Sequence, residues 1–356
     1  MFNLSKNANS KTYPLIDIMK FIFAILIVAI HIPPLKDFSY PANYMITQCL
    51  SRIGVPFFFM AAGFFLFRNM NEESLDIGRI KRYCLRIFMM LIAWTMLYLP
   101  LIIWRAIHNE RDYMYVILVE IYNFILGGDV QFHLWFLHAL IVAVVTVALL
   151  IKKKWQFSKM LILALVLHLV ALLGGGYYFV YLWLCPEGSL INDFFMKNAL
   201  FMPNAVNGLT MGFLYVLLGV QIAKKCSYPR WLICTGCVLS WLFLIVEVAS
   251  IKMAFPFSIE GSPCVFLIPT AVFTFLLGES ISLDNRPVYI IMRKMSMYVY
   301  FVHPWFIAIV ALASKRVYHI DSLMQYILVV ILSLIGARIL VYFSDKYNNG
   351  FLRLLG

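Results

Sequence analysis

The stretch DIMKFIFAILIVAIH, from Asp17 to His31, holds an apolar run between ionisable side chains. On an α-helix with about 100° and 1.5 Å per residue, Lys20 and His31 fall within about 20° of one line, about 16 Å apart along the axis. Asp17 lies within about 40° of the same line, so the three side chains share a face. Inside a bilayer such a polar stripe is costly unless it faces protein or water, which makes these residues candidates for a functional site.

The composition of the whole chain is that of a membrane protein. Of its 356 residues, 63% are hydrophobic and 13% are charged, and the mean hydropathy is +0.86. We therefore expect an all-α, polytopic membrane protein whose partner is the lipid bilayer. The net charge of +12 comes from Lys and Arg near the ends of apolar segments. No basic tract interleaved with aromatic residues indicates a nucleic-acid partner.

Ten apolar segments match the length of about 20 residues that a transmembrane helix needs. They lie near 14–33, 44–67, 87–104, 132–151, 160–178, 205–223, 231–251, 262–278, 295–313 and 322–343. Most Lys and Arg residues fall on one side if the N-terminus is inside, so we predict that both termini are cytoplasmic. The segment 113–126 is predicted to be an interfacial or re-entrant helix, and 174–204 a long outer loop with a partly embedded piece. The chain, 1–356, is predicted to form a single transmembrane domain.

Further polar residues near the outer ends of spans are candidates for binding. Arg52 precedes Gly54 and Pro56, which indicates a broken helix that lines a cavity, although an arginine there can also snorkel to the headgroups. His133 and Trp135 begin the 132–151 span, where Trp135 could instead be an interface anchor.

The ninth span carries a polar face of its own. Ser296, Tyr300 and His303 occur at i, i+4 and i+7, so they share one side of the helix, and Pro304 loosens the backbone beside the histidine. Packing alone could explain the serine and the tyrosine. The seven cysteines are predicted to be small packing residues, and no metal site is expected.

Several of these stretches, in this order, resemble the acyltransferase family 3 membrane proteins. They are Asp17-x-x-Lys20-x10-His31, the run GVPFFFMAAGF from Gly54 to Phe64, the basic residues Lys81, Arg82 and Arg86, HLWF from His133, and SMYVYFVH from Ser296. Lys20 stands where the family has arginine, and Ala62 where its second-helix motif has serine. Within the family, VAIH at 28–31 and RIGVPFFFM at 52–60 are similar to the membrane domain of the serine racemases of vancomycin resistance.

The resemblance implies transfer of an acyl group, typically acetyl, from cytoplasmic acetyl-CoA to a hydroxyl of a cell-envelope acceptor. It implies a multi-pass protein of the bacterial cytoplasmic membrane, with acetyl-CoA as a co-substrate and no bound cofactor. His31 suits a general base or transient acyl carrier, and Lys20 and Asp17 suit the donor end. The predicted donor-binding residues are Arg79, Lys81, Arg82 and Arg86, and the predicted substrate-binding residues are Arg52, His133, Trp135, Ser296, Tyr300 and His303.

The rival interpretation is a transporter. The same polar stripe, a broken second helix and His303 near the midplane could form an amino-acid pathway. The similarity to serine racemase membrane domains would make L-serine the cargo, with a soluble racemase domain or partner outside this chain. A plain membrane anchor is a third interpretation, but buried charges in ten spans are more than anchoring requires.

Overall fold

The computed structural model describes residues 12–70, 75–126, 133–185, 189, 206–224, 228–255, 263–316 and 320–347. Within these ranges every regular element is helical, which confirms the all-α prediction. The helices are α1 Pro14–His31, α2 Tyr40–Met45, α3 Gly54–Phe67, α4 Ile77–His108, α5 Tyr113–Leu126, α6 Trp135–Lys152, α7 Phe157–Leu173, α8 Tyr178–Leu184, α9 Phe213–Lys224, α10 Arg230–Ala254, α11 Leu267–Ser280, α12 Pro287–Arg316 and α13 Ser322–Lys346. Short π-helical turns at Ile46–Leu50 and Gly208–Gly212 and a 3-10 turn at Ser51–Ile53 complete the list.

The lengths of these helices support a multi-pass membrane protein. In the described part of the chain, seven helical segments are long and apolar enough to cross a bilayer: α1, Tyr40–Phe67, α4, α6, α10, α12 and α13. An eighth crossing results if α7 and α8, which are bent by 92°, form one span. The segments predicted at 205–223 and 262–278 are shorter helices, Gly208–Lys224 and Leu267–Ser280. The number of ten spans and the cytoplasmic termini therefore stay predictions.

Two helices begin well before the spans predicted for them. α4 begins at Ile77 rather than near 87, so Arg79, Lys81, Arg82 and Arg86 lie on a helix and not in a loop. The Asp76 side chain caps this helix by accepting from the Arg79 amide at 2.8 Å. α12 likewise begins at Pro287 rather than near 295. A hydropathy window ends at the first charged residues, whereas Lys and Arg are good helix formers and continue the backbone ladder.

α3 and α9 approach each other closely in the core. A Cβ on Gly63 would collide with the backbone carbonyl of Val216, and one on Gly219 would collide with the carbonyl of Met60. The two glycines therefore let the backbones touch in both directions, as small residues do in membrane helix pairs.

The structure describes only part of what the sequence predicts for three regions: the second span, 113–126 and 174–204. The second span, predicted to be a broken helix, is one helical segment, Tyr40–Phe67, whose helix changes to a π-turn and a 3-10 turn before Gly54. The 113–126 segment is the helix α5, which packs against α4 and exposes apolar side chains; its depth in the membrane stays a prediction. In the predicted loop 174–204, α8 is described, whereas residues 186–188 and 190–204 lie outside the described ranges.

Candidate functional site: three histidines and a basic cavity

Three histidines from distant parts of the chain meet in the core. The His31 ring at the end of α1 stacks on the His303 ring of α12, with centroids 5.3 Å apart and planes 25° apart. The His133 ring, in the turn before α6, meets His303 edge-on, with centroids also 5.3 Å apart. His133 and His303 are buried, at 2% and 0% exposure, whereas His31 is partly exposed. We call these three residues the histidine cluster.

The backbone fixes the tautomer of His303. Its Nδ1 lies 3.1 Å from the carbonyl oxygen of Val299, one turn earlier on α12. A carbonyl only accepts, so Nδ1 carries the proton, and in the neutral ring Nε2 then presents a lone pair. That Nε2 is buried and has no hydrogen-bond partner among the described residues. His303 is therefore held as an acceptor inside the cluster.

Two tyrosines hold the histidine cluster in place. The Tyr300 hydroxyl donates to the carbonyl of His133, and the Tyr98 hydroxyl of α4 donates to the carbonyl of Phe301. The Tyr98 ring also meets the His133 ring edge-on, with centroids 5.3 Å apart. These contacts tie α4, α12 and the turn before α6 together around the histidines.

A cavity of about 620 Å³ opens on one side of this cluster. Four cationic side chains line it: Lys20 of α1, Arg79 and Arg86 of α4, and Arg293 of α12. No Asp or Glu occurs among the described residues that line it. We call it the basic cavity; its electrostatic field favours an anionic ligand.

A buried carboxylate, Asp17, lies next to these cations. Asp17 is 8% exposed, and its Oδ2 lies 3.7 Å from Nη1 of Arg293. The Lys20 ammonium lies 4.6 Å from the centroid of the Phe65 ring, and Arg79 Nη2 donates to the Phe65 carbonyl at 3.0 Å. The Asp17 carboxylate thus contacts Arg293 on α12, while the charge of Lys20 on its own helix also acts on it.

The basic cavity leads toward the histidine cluster along α12. Its lining from this helix is Arg293, Ser296, Met297, Tyr300 and Phe301, which spans about 12 Å of helix rise. His303 follows less than one turn beyond. α1 and α12 run parallel, because Asp17 contacts Arg293 at one end and His31 contacts His303 at the other. Tyr300 therefore separates the cavity from the histidines.

The structure gathers most of the predicted site residues into these two places. His31, His133 and His303 form the cluster with Tyr300 beside them, and Lys20, Arg79, Arg86 and Ser296 line the basic cavity with Asp17 adjacent. Arg52, in the 3-10 turn, is close enough to His31 for their charges to interact, but it does not line the basic cavity.

Three of the predicted binding residues lie elsewhere. Lys81 lines a separate groove, because it projects from another face of α4. Arg82 faces solvent and lies 4.0 Å from Asp76. Trp135 packs partly buried at the start of α6 and does not line the basic cavity.

Two residues of the site were not predicted. Arg293 lies two residues before the predicted 295–313 span, and Tyr98 lies within the apolar 87–104 span. The spacing of Arg293 from Ser296 and Tyr300, at i+3 and i+7, does place it on the same face and could have indicated its role.

Curated relatives match most of this chain. An amino-acid racemase of Enterococcus faecalis is 26% identical over 341 residues, which cover 93% of this chain and 46% of the relative. A serine/alanine racemase of Enterococcus gallinarum is 26% identical over 325 residues, 90% of this chain and 44% of that protein. A second Enterococcus faecalis amino-acid racemase is 29% identical over 216 residues, 61% of this chain and 29% of the relative. The chain thus spans less than half the length of these relatives, and no solved structure matches it.

The domain match covers nearly the whole chain. The family described as "Acyltransferase domain", Acyl_transf_3, matches residues 13–342, from the residue before α1 to the last turns of α13. Every residue of the histidine cluster and of the basic cavity falls inside this match. The chain belongs to the acyltransferase family 3 of membrane proteins.

Proposed function

We propose that this protein transfers an acyl group, typically acetyl, from acyl-CoA to a hydroxyl of a cell-envelope acceptor. The observation that carries the proposal is the basic cavity, which has four cations at one end and Tyr300, beside the histidine cluster, at the other. Membership of the acyltransferase family supports the reaction class.

The donor end of the cavity fits the charges of CoA. Coenzyme A carries a pyrophosphate and a 3′-phosphate, and the cavity offers three guanidinium groups together with the Lys20 ammonium. Beyond the cations the lining is mainly apolar, with Met297, Phe136 and Leu140, which suits the slender pantetheine arm. The thioester would then arrive at Tyr300.

His31 is the best placed general base in the cluster. It is the one member that is partly exposed, while His303 packs behind it as a buried acceptor. In the transfer, the acceptor oxygen attacks the thioester carbon, a C–O bond forms and the C–S bond breaks. The hydroxyl proton passes through the imidazole to the departing CoA sulfur.

An amino-acid carrier is the second candidate, because the relatives are named amino-acid and serine/alanine racemases. L-Serine carries an ammonium group that needs a carboxylate or similar acceptor. The described lining of the basic cavity offers cations instead, and the Asp17 carboxylate beside it is paired with Arg293. The charges of the cavity therefore favour the acyl donor over the amino acid.

The test uses inverted membrane vesicles that contain the full chain. These vesicles are given acetyl-CoA that is labelled in the acetyl group, and the label is counted in the lipid and envelope-polysaccharide fractions. In a parallel experiment, right-side-out vesicles are tested for uptake of labelled L-serine. We expect acetyl transfer that falls by about 100-fold or more in His31→Ala, the range for loss of a general base. His138→Ala, a histidine of α6 outside the cluster, is the matched control and should stay near wild type. Serine uptake without acetyl transfer would reject the proposal.

A further inference from the structure

A second groove lies on another face of α4, between that helix and α6. Its volume is about 520 Å³, and its lining is apolar apart from Lys81 of α4 and Lys152 of α6. Leu85 and Leu149 in its walls are 54% and 52% exposed, so the groove opens outward from the bundle. We call it the lateral groove.

Both lysines lie at the same end of the lateral groove. α4 and α6 are antiparallel, because Tyr98 of α4 contacts His133 just before α6, while the earlier part of α4 faces the later part of α6. Lys81 is in the second turn of α4, and Lys152 is the last residue of α6. The two lysines therefore lie within about one helical turn of each other along the groove.

The length of the lateral groove matches one leaflet of a bilayer. Its walls run over residues 77–88 of α4 and 141–152 of α6, which is about 16 Å of helix in each case. Half of a hydrocarbon core of about 30 Å is about 15 Å. At the end away from the lysines, the Phe88 ring lies against Phe124 of α5 with centroids 6.3 Å apart, which marks where the groove ends.

The charge around the lysine end is positive. Lys153 and Lys154 follow directly on Lys152 and are exposed. The Asp76 carboxylate is occupied by the Arg79 amide and by Arg82. The lateral groove is apolar over the length of one leaflet and has cations at one end. It is therefore complementary to a lipid with an acyl chain and an anionic headgroup.

We propose that the lateral groove is a binding site for one anionic phospholipid of the bilayer, such as phosphatidylglycerol. Its acyl chain lies between α4 and α6, and its phosphate lies between Lys81 and Lys152. The basic cavity uses a different face of α4, with Arg79 and Arg86, so the two sites are separate. The bound lipid packs behind the helix that carries these arginines and stabilises one wall of the basic cavity.

The test is photo-crosslinking of the purified full chain in nanodiscs. The probes are phosphatidylglycerol and phosphatidylcholine with the same diazirine-bearing acyl chain, and crosslinked residues are mapped by mass spectrometry. We expect phosphatidylglycerol to label 77–88 and 141–152 several times more than phosphatidylcholine. Lys81→Gln with Lys152→Gln should lower that labelling by about 25-fold, because each lysine at the headgroup contributes about fivefold in affinity.

The matched control removes the same charge next to the groove. Lys153→Gln with Lys154→Gln should keep phosphatidylglycerol labelling within about twofold of wild type, since neither residue lines the groove. Equal labelling of wild type by the two lipids would overturn the proposal, and this comparison does not depend on how the variants fold. An equal loss in the two double variants would also overturn it, because the attraction would then be general surface charge.

Discussion

The two cations nearest Asp17 differ in how they can hold a phosphate. Arg293 has a planar guanidinium with five N–H donors, and its contact with Asp17 at 3.7 Å leaves donors that face the basic cavity. Lys20 offers a compact ammonium beside the Phe65 ring. A guanidinium can bind two phosphate oxygens at once, whereas an ammonium cannot. Lys20 stands where the family has arginine and cannot make this bidentate contact, but Arg293 can.

These differences predict how single variants change CoA binding in the purified protein. Arg293→Met and Lys20→Met should each weaken binding by about 10-fold or more, the range for a lost hydrogen bond to a charged group. Lys20→Arg should bind CoA as well as wild type or better, because it adds a guanidinium group that can bind phosphate bidentately. Calorimetric titration with CoA gives the dissociation constants.

The control is Arg82→Met, which removes the same charge from an exposed side chain paired with Asp76. Its affinity for CoA should match that of wild type. If Arg82→Met weakened binding as much as Arg293→Met, the cations would act only through the net charge of that end, and the proposed donor site would be wrong.

At this scale the sequence predicts contacts along one helix better than contacts between helices. The common face of Asp17, Lys20 and His31 follows from helical period alone, and so does that of Ser296, Tyr300 and His303. The pairing of Asp17 with Arg293 depends on which helices are neighbours, and α1 and α12 are more than 250 residues apart in the chain. Thr95 at i−3 and Arg105 at i+7 share a helix face with Tyr98, but helical period alone does not indicate the contact of Tyr98 with His133, which depends on the tertiary structure.

At the scale of elements, the α3 and α9 pair supports the site from behind. α3 carries Phe58, Ala62 and Phe65 to the basic cavity, and its opposite side lies on α9 at Gly63. Lipid tails are as apolar as the helices, so close van der Waals packing, and not the hydrophobic effect, stabilises such a pair in the membrane. Gly63, the glycine of the second-helix motif, thus allows α9 to approach α3 closely, a contact that the sequence alone does not indicate.

Enlarging either glycine should separate α3 from α9. Gly63→Ala and Gly219→Ala each place a methyl group against a backbone carbonyl, which cannot move aside as a flexible side chain can. We expect each to lower stability by about 1–3 kcal/mol, the usual cost of overpacking, seen as a lower midpoint of thermal unfolding in detergent. Gly78→Ala is the control, because its Cβ meets only side-chain atoms of Arg82 and Asp76, at 3.3 Å. Equal midpoints for all three variants would contradict the close approach.

At the scale of the whole molecule, the parallel helices α1 and α12 connect the basic cavity to the histidine cluster. α1 and α12 hold Lys20 and Arg293 at one end and His31 and His303 at the other. Under the proposed function, the donor enters at the basic end and the acceptor approaches the histidines from the opposite side. This division requires the basic end to face the cytoplasm, where acyl-CoA is made. The positive-inside bias of the sequence predicts that orientation.

Cysteine labelling tests the orientation directly, in a background that lacks the seven native cysteines. Phe38 is 61% exposed in the segment after His31, and Ser282 is exposed in the segment before α12 at the basic end. Phe38→Cys should react with an impermeant maleimide in intact cells, and Ser282→Cys only after the membrane is opened, because basic segments stay in the cytoplasm. Acetyl transfer measured in each variant shows that the labelled protein is folded. Labelling of Ser282→Cys in intact cells would place Lys20 and Arg293 outside, away from acyl-CoA, and the donor assignment of the basic cavity would fail.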